Sequence, residues 1–94
     1  MNNDMISLAE RCEAATKSDN ALDVLVEIAL FEPDAFYKSI RANAAGTKVI
    51  YHTAGGKEHT CWADDWTIAE RRSHTAASLR ARALSTVSRG EVIE

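Results

Sequence analysis

His52, His59 and Cys61 fall in one short stretch, and His74 follows a little further on. Imidazole and thiolate are the ligands of structural zinc, which takes four of them in a tetrahedron. A thiol beside an imidazole is also the pairing that makes a cysteine nucleophile. The spacing matches no zinc pattern. No further group orients a base or offers an oxyanion site. The expectation is therefore no metal and no catalytic residue, with Cys12 and Cys61 both reduced, small and mostly buried. Asp64-Asp65 reads as a turn or helix cap in preference to an acid–base pair.

A second set of residues suits binding. Ala54-Gly55-Gly56-Lys57 lacks the longer glycine–lysine–hydroxyl pattern of a P-loop. Yet Lys57 beside a glycine turn, the aromatics Tyr51, Trp62 and Trp66, and the paired Arg71 and Arg72 are the groups that hold small nucleotides without catalysis: rings that stack and cations that meet phosphate. The competing reading makes Tyr51 and Trp62 core and the arginines a solvated helix start.

The elements that would position these groups follow from periodicity. Asn3 or Asp4 caps a first helix with Met5, Leu8, Ala9, Cys12 and Ala15 along one stripe, and Glu13 and Lys17 paired near its end. Ser18-Asp19-Asn20 makes a turn and a cap. A second helix over 21–30 presents Leu22, Leu25, Val26 and Ala29, with only Asp23 and Glu27 clearly polar. Pro33 opens a third helix through Phe36, Tyr37, Ile40 and Ala44, capped by Gly46.

The period then changes to that of strands. Residues 47–53 and 58–62 flank Gly55-Gly56 and read as a hairpin. A two-residue turn pairs His52 with His59, Ile50 with Cys61 and Val49 with Trp62. Ile50, Cys61 and both histidines then share one face, with Val49, Tyr51 and Trp62 on the other. Both faces are partly apolar, so both are expected under helices. Either Asp64-Asp65 starts the last helix, or Trp66-Thr67-Ile68 is a short strand and Ser73 the cap. The helix through Ala76, Leu79, Ala83 and Val87 stands in both cases, with Arg72, Arg80, Arg82 and Arg89 outside. Gly90 ends it, and 91–94 reads as a loose tail of a single domain over 1–90.

Composition narrows the class. The 94 residues are 46% hydrophobic and 27% charged, a globular balance in one domain. A net charge of −3 and a pI near 5.6 disfavour a binder of duplex nucleic acid. No apolar run approaches a membrane span, and the first residues lack the basic head and apolar run of a signal peptide. The expected location is the cytosol. So small a domain gains from self-association, and the alanine-rich face of the last helix and the broadly apolar second helix both point to a homo-oligomer.

Two stretches carry a resemblance. Leu8-Ala9-Glu10-Arg11-Cys12-Glu13-Ala14-Ala15-Thr16, followed by Leu22-Asp23, and Thr75-Ala76-Ala77-Ser78-Leu79-Arg80-Ala81-Arg82-Ala83 resemble the ends of the phage ABA-sandwich domain family. These are small bacteriophage and prophage proteins with a sheet between helices. The short segment Phe36-Tyr37-Lys38-Ser39-Ile40 and a hairpin with tryptophan fit its middle. The resemblance implies an α+β fold of three N-terminal helices, an antiparallel hairpin or small sheet and a C-terminal helix. The family brings no established catalytic residues, so none is carried over, and no cofactor is expected. The function expected with it is that of a phage accessory protein in the host cytosol. The expected role is anti-defence, by binding and sequestering a nucleotide-derived host immune signal; the alternative is a protein-interaction module that docks on and inhibits a host factor.

Overall fold

The computed structural model describes residues 2–93, with side chains described over 4–85. Three helices and three strands follow in the order ααβββα. The fold is α+β, but the third N-terminal helix is absent. Tyr37–Ala42 is a strand instead.

Helix α1 (Asn2–Ala14) buries Ala9 and Cys12 completely, at the expected spacing. It ends before Lys17, and Glu13 reaches across to Arg80 instead, with N–O distances of 2.5 and 2.9 Å. Helix α2 (Asn20–Leu30) starts where Asp19, in an extended conformation, accepts the Leu22 N–H on Oδ1 at 3.1 Å. It stops at extended Phe31, two residues before Pro33. Leu22, Val24 and Val26 are buried, whereas Leu25 is 40% exposed. Helix α3 (Arg72–Ile93) buries Thr75, Ala76, Leu79 and Ala83, and its span continues through Gly90. Val87 and Arg89 lie outside the residues whose side chains are described.

The core joins the three helices. Ala9 and Cys12 of α1 meet Leu22 and Val26 of α2 and Ala76 and Leu79 of α3, with Leu8, Ala29, Leu30 and Trp66 packed around them. Small residues on α1 and α3 let the two backbones approach closely. No described helix is long and apolar enough to cross a membrane.

Strands β1 (Tyr37–Ala42), β2 (Val49–Thr53) and β3 (Glu58–Cys61) form one antiparallel sheet in the order β1-β2-β3. The Phe36-Tyr37-Lys38-Ser39-Ile40 segment is rich in aromatic and β-branched residues, which suit a pleated surface as well as a helix stripe. The following turn decides between them. Asn43 Oδ1 accepts the N–H groups of Thr47 at 2.8 Å and Lys48 at 3.1 Å, Asn43 N–H bonds Lys48 C=O, and Gly46 takes φ +71°. Gly46 thus serves a hairpin and not a helix end.

The second hairpin has a three-residue turn, not a two-residue one. Thr53 N–H bonds Lys57 C=O at 2.9 Å, Lys57 N–H bonds Thr53 Oγ1, and Gly56 adopts φ +84°. The register is therefore His52↔Glu58, Tyr51↔His59, Ile50↔Thr60 and Val49↔Cys61. One residue of slip carries every β3 side chain to the opposite face from the one expected. One face now holds Val49, Tyr51, Thr53, His59 and Cys61. The other holds Ile50, His52, Glu58 and Thr60, continued by Lys48 and Trp62.

The expected helix–sheet–helix sandwich is not formed among the described residues. Among the described residues α2 is the sole helix against the sheet, and it reaches β1 and β2 but not β3. Val49 and Thr53 are buried beneath it, while all four residues of β3 are exposed. Cys61 is accordingly exposed, against expectation, and Cys12 is buried.

Candidate functional site

The densest polar constellation lies where α2 meets the segment between β3 and α3. Three acids, Asp19, Asp23 and Glu27, recur every fourth residue along α2 and so share one side of it. Each is hydrogen-bonded to residues 64–67, Asp19 through its backbone and the other two through their carboxylates. Asp19 N–H bonds Thr67 Oγ1 at 2.7 Å. Asp23 Oδ1 accepts both the N–H and the hydroxyl of Thr67, each at 2.9 Å. Glu27 Oε1 accepts Trp66 Nε1–H at 2.6 Å and Asp64 N–H at 3.2 Å, and its Oε2 accepts the Tyr51 hydroxyl.

These bonds settle the form of residues 64–71. Thr67 gives its N–H and hydroxyl to helix α2, so the Trp66-Thr67-Ile68 segment has no ladder to join. Asp64-Asp65 does not begin the helix either. Trp66 N–H turns back to Asp64 C=O, Arg71 and Arg72 N–H groups both bond Ile68 C=O, and α3 starts at Arg72. Thr75 Oγ1–H ties that first turn to Trp66 C=O at 2.8 Å.

Burial tunes the acids differently. Asp23 is 5% exposed, and desolvation holds its carboxyl above the usual aspartate range despite the two bonds from Thr67. Asp64 is held below that range, first by the Asp65 N–H and then by Arg71. The Tyr51 phenol is pushed up by desolvation and by its bond to the Glu27 carboxylate.

Of the six residues expected to bind a ligand, three converge here. Tyr51 and Trp66 both donate to Glu27. Arg71 lies over the Trp66 ring at 4.8 Å and bonds Asp64 Oδ1 at 3.2 Å. Arg72 is close in sequence but donates from Nε to Thr67 C=O. Lys57 and Trp62 stand apart. Lys57 is at the tip of the second hairpin, and Trp62 follows the far end of β3, about 17 Å away along a strand. Trp62 is 65% exposed and its ring carries Lys48 Nζ at 4.6 Å, on the sheet face opposite Tyr51.

The chemistry of the convergent group is that of a latch. Every Glu27 oxygen has a donor, and the neighbouring charges include Asp23, Asp64 and Asp65 against Arg71 and Arg72. An added dianion would meet net negative charge and a cation already paired. A surface depression of about 620 Å³ follows the turn over residues 14–21, and one of about 310 Å³ is lined by Asp4, Ser7, Leu8, Arg11 and Leu25. Neither includes any of the six residues.

The histidine–cysteine cluster is separated by the register. His59 and Cys61 face the α2 side, whereas His52 faces away. His52 Nε2 lies 2.6 Å from Arg41 Nη1 and 2.8 Å from Glu58 Oε2, between a cation and an anion. No three metal-ligating side chains gather among the described residues. His59 instead joins an aromatic row, 6.4 Å from both Phe36 and Tyr37, with Tyr37 4.9 Å from Tyr51.

Sequence reasoning missed Asp23 and Glu27 as the residues that organise this region. Their signal was available: two acids, four apart, in a helix otherwise apolar on most sides. Comparison with protein-family models, with curated proteins and with solved structures gives no match, and so identifies no family.

Proposed function

We propose that this chain is a non-enzymatic protein-interaction module of phage type that docks on a host protein through the β3 side of its sheet. The observation that supports this reading is the distribution of exposed aromatic surface. Phe36 is 56% exposed against His59 at one end of β3, and Trp62 is 65% exposed at the other. Large aromatic groups that a monomer leaves in water are the usual anchors of a protein contact. The phage assignment rests on the sequence resemblance.

The nucleotide-sequestering reading has less behind it. Tyr51, Trp66 and Arg71 already have partners within the chain. Trp62 with Lys48 is the pair left to support it.

One experiment separates the two. The chain is immobilised and exposed to bacterial lysate, and in parallel examined by native mass spectrometry with cyclic and ADP-ribose-derived nucleotides. The docking reading expects one host protein retained by the unaltered chain and lost from both Phe36→Ala and Trp62→Ala. A nucleotide-sized mass shift, abolished by Trp62→Ala and released intact on denaturation, would overturn it in favour of sequestration.

A further inference from the structure

The two edges of the sheet are not alike. At the β1 edge the ladder is interrupted between Tyr37 and Ser39, which displaces Lys38, whose Nζ folds back to Asp34 C=O at 2.9 Å. Asp34 N–H closes on Tyr37 C=O, and its carboxylate takes the Phe36 and Tyr37 N–H groups. A bulge and an edge lysine are the devices that keep strands from pairing further. The β3 edge has neither. Its register with β2 is continuous from Glu58 to Cys61, all four residues are exposed, and no helix reaches it. Its one charged residue is turned back across the sheet, with Glu58 Oε2 3.1 Å from Arg41 Nη2 and 2.8 Å from His52 Nε2.

The direction of the free groups follows from the turn. Thr53 and Lys57 are a hydrogen-bonded pair, so the alternation of an antiparallel ladder gives His59 and Cys61 to β2. The N–H and C=O groups of Glu58, Thr60 and Trp62 then point outward.

We propose that β3 pairs with β3 of a second copy of this chain, antiparallel about a two-fold axis at Thr60, to give one continuous six-stranded sheet. In this register Thr60 exchanges backbone bonds with the second copy's Thr60, and Glu58 does so with the second copy's Trp62. Outward groups meet outward groups throughout. The rung His59 against Cys61 is a closely spaced non-hydrogen-bonded pair on the α2 side of the sheet, beyond the reach of α2 itself. Charge fits as well. Glu58 of each copy lies opposite the other's Trp62, whose ring already holds the Lys48 ammonium, so an anion faces a cation-capped indole and no like charges meet. A register centred on Glu58 would set carboxylate against carboxylate. The pairing uses part of the surface proposed above for a host protein, so host partner and second copy compete for β3, and the pairing is read on the purified chain alone.

The test uses the full chain. Light scattering behind size exclusion is expected to give a concentration-dependent dimer. Thr60→Pro removes one outward N–H and no bond to β2, so it is expected to give a monomer with unchanged far-UV circular dichroism. His59→Cys keeps the edge intact and places a thiol opposite the second copy's Cys61. Mild oxidation is expected to yield a covalent dimer that adding Cys61→Ser abolishes, while the unaltered chain stays uncrosslinked. A monomer at all concentrations would overturn the pairing. So would a Thr60→Pro dimer as strong as the original, or a His59→Cys dimer indifferent to Cys61→Ser.

Discussion

Between α1 and α3, contact is made by Ala9, Cys12, Ala76 and Leu79, all fully buried, with a two-pronged ion pair of Glu13 and Arg80 at the rim. Between α2 and the sheet, contact reaches β1 and β2, with Val24 and Val49 buried and the Tyr51 hydroxyl on Glu27, and further hydrogen bonds tie α2 to residues 64–67. The helical part is held by continuous apolar packing. Among the described residues the sheet has a helix on one face, and its third strand is held by the β2 ladder, by Glu58 on Arg41 and by His59 beside Phe36 and Tyr37. Apolar burial is non-directional and scales with area, whereas a hydrogen-bonded latch depends on each donor finding its acceptor. The molecule therefore joins a core of ordinary robustness to a sheet that is easier to detach.

This comparison can be broken at its strongest point. Leu79→Ala removes the largest fully buried side chain at the junction of the three helices. It is expected to lower stability by about 2–5 kcal/mol, measured by urea denaturation, and to destabilise helices and sheet together. A cooperative loss confined to the sheet would refute the central place given to the helical core.

Glu27→Ala probes the latch. It leaves the Tyr51 hydroxyl and Trp66 Nε1–H without their acceptor, which is expected to cost about 1–3 kcal/mol. Hydrogen exchange should localise the effect to residues 49–53 and 64–67, with the amides of α1 little changed. Uniform acceleration across the chain would show that sheet and helices are one unit after all.

The smallest effect is expected from Asp23→Asn, and it is one of pH. The folded state raises the Asp23 carboxyl above its unfolded value, so it binds that proton more tightly than the unfolded chain does. The stability linked to this proton is complete below the ordinary aspartate value and is lost as pH rises through the raised folded value. Glu13, Asp34 and Asp64 are shifted down and act in the opposite sense, favouring the fold as pH rises. Asparagine keeps the acceptor for Thr67 and removes the titration. The difference between variant and unaltered chain, measured by denaturation from acid to neutral pH, should therefore grow in the variant's favour as pH rises. A flat difference would mean that the fold does not raise the Asp23 carboxyl.

How far the sequence carried the fold varies along the chain in the same way. The stripes of α1 and α3 were legible because a helix satisfies its own backbone and its apolar face shows in local spacing, whereas in α2 Leu25 of the expected stripe is exposed and Val24 is buried instead. Asp19 capped α2 as its residue type indicated. The segment after Pro33 was not legible. Phe36, Tyr37 and Ile40 fit both periods, and the outcome depended on Asn43 closing a turn. The hairpin at Gly55-Gly56 was placed correctly, but a Thr53 side chain lengthened its turn by one residue. That slip moved Trp62 away from Tyr51 and His52 away from Cys61. Of the ligand set, Tyr51 and Trp66 converge on Glu27, an acid that no local pattern assigned to them, and Arg71 joins them over the Trp66 ring and on Asp64. Residues 64–71 took neither of the forms weighed for them, because their hydrogen bonds go to α2, some forty residues earlier in the chain.

The two indoles differ in a way that makes the chain its own optical instrument. Trp66 is packed against the helical core with its N–H on Glu27, and Trp62 is open to water on the sheet. The first belongs to a blue-shifted emitter shielded from iodide, the second to a red-shifted emitter that iodide reaches. With no label added, the red component alone would respond when something settles on β3, and the blue component alone would report the parting of α2 from its loop.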